Sequence, residues 1–143
     1  RATALPSAIG IAACAMGRAG EGNDIAAGDA GAAAHEAHAA FAGTREVGVE
    51  QGQRAARLCF TNLLVQLRAA CGGDLDRVRR VVRLGGFVAC PPSFTAHAQV
   101  MNGASDLAVE VFGDAGRHAR STIGVPSLPG DAAVEVEGMF EIA

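Results

Sequence analysis

The stretch GRHARSTIGVPSLPGDAAVEVEGMFEIA, residues 116–143, carries the clearest structural pattern in the chain. Residues 132–142 alternate between apolar and mostly acidic side chains, which is typical of a strand with one buried face. The buried face would carry Val134, Val136, Phe140 and Ile142, and the other face Glu135, Glu137, Met139 and Glu141. Residues 119–125 predict a second strand, and Leu128-Pro129-Gly130-Asp131 predicts the turn between the two.

These two strands would bring Arg120 close to Glu135 and Glu137 if they lie side by side. One interpretation is a surface ion pair, which is worth about 0–1 kcal/mol. The other is a site that binds a small anion, because a guanidinium group stays charged and binds a carboxylate through two parallel hydrogen bonds. The residues alone do not decide between the two.

Two upstream segments, residues 49–71 and 97–112, show helical periodicity. Gly72-Gly73 would end the first helix and Gly113 the second. The first would bury Ala56, Cys59, Phe60, Leu63, Leu67 and Ala70, and the second Val100, Ala104, Leu107, Ala108 and Val111.

A valine-rich segment between the helices, residues 76–90, predicts a strand that ends at Pro91-Pro92. Its apolar positions in phase would be Val82, Leu84, Gly86 and Val88. The order helix, strand, helix, strand, strand predicts an α+β or α/β sandwich with both helices on one face of a sheet. The length of 143 residues favours a single domain spanning 1–143.

Composition narrows the classes of function. All twelve basic residues are arginine, so lysine Schiff-base chemistry and a phosphate-loop lysine are excluded. The net charge of −3 argues against a nucleic-acid partner. The sequence contains no run of about 20 apolar residues, so it predicts no membrane span. The four cysteines are dispersed, which favours free buried thiols in a reducing cytoplasm over a zinc site. No cofactor is expected.

Residues 10–46 are rich in alanine and glycine and predict no clear element. Within them, His35 and His38 invite a metal interpretation, but they are three residues apart instead of the four of the helical zinc motif. No third ligand accompanies them, so solvated histidines are favoured and no metal is expected.

Three pieces together resemble the YjgF family, also called Rid, for reactive intermediate deaminase. They are VEQGQRAARLCFTNLLVQLRAACGGDLDRVRRVVRLGGFV, GRHARSTIGV and SLPGDAAVEVEGMF, and the resemblance covers residues 46–143 in order. GQRAARLC and NGASDL look closest to a bacterial branch. The resemblance implies a chorismate-mutase-like α+β sandwich, a mixed sheet with two helices on one face. It also implies a homotrimer with clefts between subunits, which an apolar strand face left uncovered by the helices would favour.

The resemblance implies roles for four residues. Arg120 matches the arginine that holds the substrate carboxylate, and Glu135 matches the glutamate that positions the attacking water. Thr122 stands where many deaminating members carry cysteine, and Asn102 lies near a family asparagine that lines the cleft. Ala12 stands where the family has a cleft tyrosine. The family strand end SGQ would correspond to residues 27–29, Ala-Gly-Asp.

Three functions follow as hypotheses. The first is hydrolysis of reactive 2-imino or enamine acids to 2-oxo acids and ammonia. The second is non-catalytic binding of a small carboxylate, because the chain lacks the family thiol and tyrosine. The third and weakest is cleavage of RNA, because the chain is acidic and has no basic-aromatic strip.

Overall fold

The computed structural model of the chain describes residues 7–15 and 48–143, which form a four-stranded mixed sheet and two α-helices. In chain order the elements are β1 (Ser7–Ala15), α1 (Val49–Ala70), β2 (Val78–Ala89), α2 (His97–Phe112), β3 (Ala119–Val125) and β4 (Val134–Ile142). Both helices pack on one face of the sheet, so the predicted α+β architecture is confirmed.

The strand order is β1-β4-β2-β3. β2 pairs with β3 in parallel and with β4 in antiparallel, so β2 separates the strands that carry Arg120 and Glu135. The expectation that these two strands are neighbours is therefore wrong. The α2 crossover delivers β3 to the far side of β2, and the Pro129–Asp131 turn then returns the chain to the other side.

Helix α1 begins and ends where short-range signals place it. The side chain of Gln51 accepts a hydrogen bond of 2.9 Å from the backbone N–H of Gly48, the residue before the helix. At the other end Gly72 and Gly73 adopt φ of 69° and 96°, the left-handed region that glycine tolerates best. The Gly73 N–H bonds the Arg68 carbonyl at 2.8 Å, which completes the predicted stop.

The core lies between the helices and the sheet. Phe60, Leu63, Leu67, Leu84, Val136 and Phe140 are among its fully buried side chains. The alternation predicted for β4 is confirmed, with Val134, Val136, Phe140 and Ile142 buried. The helices cross closely at Gly103, where a Cβ would overlap the backbone carbonyl of Gln53.

Three details of the predicted core are wrong. Ala70 is exposed because the buried stripe of α1 continues from Leu67 to Cys71, four residues on. Val111 is 43% exposed because Phe112, four residues after the buried Ala108, packs on the core instead. In β2 the register shifts around Val81, so Val81 and Leu84 are both buried and Val82 is only half-buried.

The sheet face opposite the helices, here called the open face, is charged among the described residues. Arg83 lies 3.5 Å from Glu137 and donates to the Ser121 hydroxyl at 2.7 Å, and Arg80 pairs with Glu141 at 2.6 Å. The expected apolar face is therefore wrong, because ion pairs between β2 and β4 and the Ser121 hydroxyl of β3 occupy it. Among the residues whose burial is described, the large apolar side chains exposed on it are Ile123 and Met139.

Candidate functional site

Arg120 lies in β3, the edge strand, and its side chain points toward the helices. The guanidinium Nη1 donates a 3.0 Å hydrogen bond to Oγ of Ser105 in α2, and the residue is exposed to solvent. Among the described residues it has no carboxylate partner. Within one copy of the chain the surface ion pair with Glu135 or Glu137 is therefore excluded for this arginine, and Nε and Nη2 can donate to a ligand.

Ser105 is itself held by His118, two residues before Arg120. The Nδ1 of His118 lies 2.6 Å from the Gly116 carbonyl oxygen, which can only accept, so Nδ1 donates this hydrogen bond. The Nε2 lies 3.1 Å from the Ser105 hydroxyl oxygen, and this oxygen accepts from Arg120. This chain of hydrogen bonds fixes the orientation of Arg120.

Helix α2 lies over β3 with matching spacings. On α2, positions 97, 101 and 105 lie four residues apart and so on one side of the helix. On β3, positions 124, 122 and 120 lie two residues apart and face these helix positions in that order. Met101 Sδ and Thr122 Cγ2 both lie within 3.2 Å of where a Gly86 Cβ would stand. The Oγ1 of Thr122 is buried without a hydrogen-bond partner among the described residues.

Glu135 lies on the open face of β4, opposite the face on which Arg120 contacts Ser105. It is half-buried, directly beside Phe87 of β2, and is bound to no cation in the described part of the chain. Arg120 and Glu135 thus point to opposite faces of one sheet with β2 between them. One copy of the chain does not bring the two residues into a common cleft.

Asn102 is half-buried in α2, one turn before Ser105. Ala12 lies in β1 near the register shift between Ile11 and Cys14. His35, His38 and residues 27–29 lie outside the described residues. Over the ranges 7–15 and 48–143, no group of three or more His, Cys, Asp or Glu residues could hold a metal ion. No helix in those ranges is long and apolar enough to cross a membrane.

A second polar pair lies at the other end of β3. Cys90 Sγ is 3.4 Å from His97 Nε2, beside a cavity of about 330 Å³. The prediction that the thiols are buried is confirmed for Cys59 and Cys71 but is wrong for Cys90, which is half-buried. Sequence reasoning missed this pair and the Ser105–His118 pair. His118 and Arg120 are two residues apart, a spacing that places two side chains on the same side of a strand. The Cys90–His97 and Ser105–His118 contacts depend on how α2 crosses the sheet, which the sequence spacing does not show.

The fold matches a known class of protein. A family model described as "YjgF/chorismate_mutase-like, putative endoribonuclease" matches residues 39–141, and the chain belongs to this family. It is 54% identical over 95 residues to "Protein TCP17" of Trypanosoma cruzi, an alignment that covers 66% of the chain and 59% of that protein.

Two solved structures are also similar. A protein of unknown function from Agrobacterium tumefaciens is 50% identical, with a TM-score of 0.67, over 68% of this chain and 62% of that one. A "putative endoribonuclease" from Shewanella oneidensis is 36% identical, with a TM-score of 0.66, over 68% and 64%. The chain thus spans about six-tenths of the length of these relatives.

Proposed function

We propose that the chain binds small 2-imino or 2-oxo acids through Arg120 and hydrolyses the imines to 2-oxo acids and ammonia. The observation that carries the proposal is the state of Arg120, which is exposed, oriented by a neutral hydroxyl and free of a carboxylate partner among the described residues. A guanidinium held in this way offers two parallel N–H groups to a carboxylate.

The second catalytic group is Glu135, in a cleft that two copies of the chain share. Because Arg120 and Glu135 lie on opposite faces of one sheet, a site that uses both takes the arginine from one copy and the glutamate from the next. The carboxylate of Glu135 orients a water molecule toward the imine carbon. Water adds to the C=N bond and ammonia leaves, which gives the 2-oxo acid. Asn102 and the accessible atoms of Thr122, whose hydroxyl oxygen is itself buried, complete the cleft on the arginine side.

Mixing two inactive variants tests the shared cleft. Arg120→Ala and Glu135→Gln should each lose turnover of a freshly generated 2-imino acid. When the two are unfolded together and refolded, about a quarter of the sites in a random cyclic oligomer combine an intact arginine with an intact glutamate. We expect about a quarter of wild-type activity to return. No recovery in verified mixed oligomers would place both groups in one copy and contradict the shared cleft.

The assembly itself is a separate prediction. The shared cleft requires a closed oligomer, and the family resemblance points to a homotrimer. Light scattering at micromolar concentration should report three copies. Because the open face carries ion pairs, raising the salt concentration should weaken the association if copies meet over it. A monomer at low salt would contradict the trimer and, with it, the shared cleft.

A non-catalytic carboxylate-binding protein is the second candidate, and Thr122 favours it. The resemblance places a thiol at this position in many deaminating members, whereas the Thr122 hydroxyl is buried and has no hydrogen-bond partner among the described residues. A wild type that binds 2-oxo acids but leaves imine decay at the buffer rate would support this candidate over the enzyme. Cleavage of RNA, the activity named in the description of the Shewanella oneidensis relative, is disfavoured by the net charge of −3.

A further inference from the structure

The Cys90–His97 pair has the geometry of an activated thiol. The sulfur lies 3.4 Å from Nε2 of His97, within reach of an S–H···N hydrogen bond when the ring proton is on Nδ1. Phe94 packs edge-on against the imidazole, with ring centroids 5.2 Å apart and planes at 88°, which limits the rotation of the ring. His97 is also the first residue of the 16-residue helix α2.

The cavity beside the pair selects against charge. It has a volume of about 330 Å³, at the lower end of the range for small-molecule sites. Apart from the pair, its lining is Pro92, Phe94, Gly124, Val125 and Pro126. None of these side chains is charged, so the cavity suits a small neutral molecule. The cavity thus differs in chemistry from the surface around the cationic Arg120, which lies four residues before Gly124 in β3.

Gly124 provides the space in which the pair meets. A Cβ at this position would lie 2.6 Å from His97 Nε2 and 2.8 Å from Cys90 Sγ, closer than non-bonded atoms approach. Any other residue would push the two groups apart. Three residues therefore make the site: Cys90 directly after β2, His97 at the start of α2, and Gly124 in β3.

We propose that Cys90 and His97 form a covalent capture site for small neutral α,β-unsaturated carbonyl compounds. His97 Nε2 removes the thiol proton, and the Cys90 sulfur forms a bond to the β-carbon of the acceptor. The C=C π bond breaks and its electron pair moves toward the carbonyl to give an enolate. The imidazolium then returns its proton to the α-carbon. The net reaction is addition of the thiol across the C=C bond, and it needs no oxidant or other co-reactant.

The test is the rate of alkylation of each cysteine by methyl vinyl ketone, followed by peptide mass spectrometry on the intact chain. General-base assistance contributes about 10²–10⁴-fold where it is fully developed, so Cys90 should react at least about tenfold faster in the native protein than in urea. The buried Cys59 and Cys71 serve as internal references and should react more slowly when folded. A native Cys90 no faster than the unfolded one would overturn the proposal.

Two variants separate the pair from mere exposure of the thiol. His97→Gln keeps a hydrogen-bonding side chain but removes the base, and Gly124→Ala keeps both groups but separates them. Each should bring the Cys90 rate close to that of the unfolded chain. Melting temperatures verify folding, and His97→Gln alone decides if Gly124→Ala is unfolded. Full rate retention in a folded His97→Gln protein would contradict the assignment of the base.

A matched anionic probe tests the selectivity for neutral compounds, and an Arg120 variant tests whether the site is independent of the proposed imine hydrolysis. In 2-oxobut-3-enoate a carboxylate replaces the methyl group of methyl vinyl ketone. The native-to-unfolded rate ratio should be larger for the neutral probe, and an equal or larger ratio for the anion would refute the neutral specificity. Arg120→Ala should leave the methyl vinyl ketone rate unchanged, so this site can stand or fall separately from the proposed imine hydrolysis.

Discussion

Replacing Arg120 with alanine is expected to abolish binding of pyruvate and 2-oxobutanoate while the melting temperature stays close to that of the wild type. The side chain is exposed and its hydrogen bond among the described residues goes to the Ser105 hydroxyl, so it supports little of the core. Hydrogen bonds to a charged group are worth about 1.5–3 kcal/mol each. Loss of two such bonds should weaken binding at least about a hundredfold, measured by calorimetric titration.

Two matched variants define the cause. Arg120→Lys keeps the charge but loses the planar pair of donors, so affinity should still fall sharply. Ser105→Ala keeps the arginine and removes only the hydroxyl that orients it, so affinity should fall severalfold but less than in Arg120→Ala, because both donors to the ligand remain. If the wild type binds no 2-oxo acid at millimolar concentration, the anion site is wrong. A lowered melting temperature with unchanged affinity in Arg120→Ala would instead show a structural role.

Leu63→Ala is expected to lower the free energy of unfolding by about 2–5 kcal/mol. Leu63 is fully buried in α1, within the cluster that joins both helices to the sheet, so its truncation removes apolar contacts and leaves a cavity. Urea denaturation followed by circular dichroism measures the loss, and an unchanged m-value would show that the compactness of the two states is preserved.

Val65→Ala is the matched control on the same helix. Val65 is 42% exposed, so its truncation should cost much less, within about 0.5 kcal/mol after allowance for the better helix propensity of alanine. A Leu63→Ala loss near zero, or one no larger than that of Val65→Ala, would show that the buried face of α1 has been assigned incorrectly.

Local patterns were enough to predict much of the fold. The alternation of β4 and the bounds of α2, His97–Phe112, follow from side-chain periodicity within one element. The strand order does not, because it depends on which partner a strand selects across long sequence separations. The shift near Val81 in β2 is likewise set by pairing with β4 and leaves no mark in the local pattern.

The candidate site was less predictable than the fold. The family resemblance singled out Arg120 and Glu135, but side-chain periodicity placed them on neighbouring strands, whereas β2 lies between them and their side chains face opposite ways. The Ser105 and His97 contacts arise where α2 crosses β3, so their distances depend on a helix packing angle that no single segment encodes.

The pairing of the strands also has a kinetic consequence. Among the four described strands none forms a hairpin with the next: β1 pairs with β4, and β2 reaches β3 only through α2. Each strand pairing among the described strands therefore closes a long loop. The chain loses the entropy of that loop before the contacts between the strands stabilise it. Sheets dominated by such pairings fold in milliseconds to seconds. β4 joins β1 to β2, so until it docks both strands are left with unpaired edges, and this interval is when the chain is most prone to aggregate.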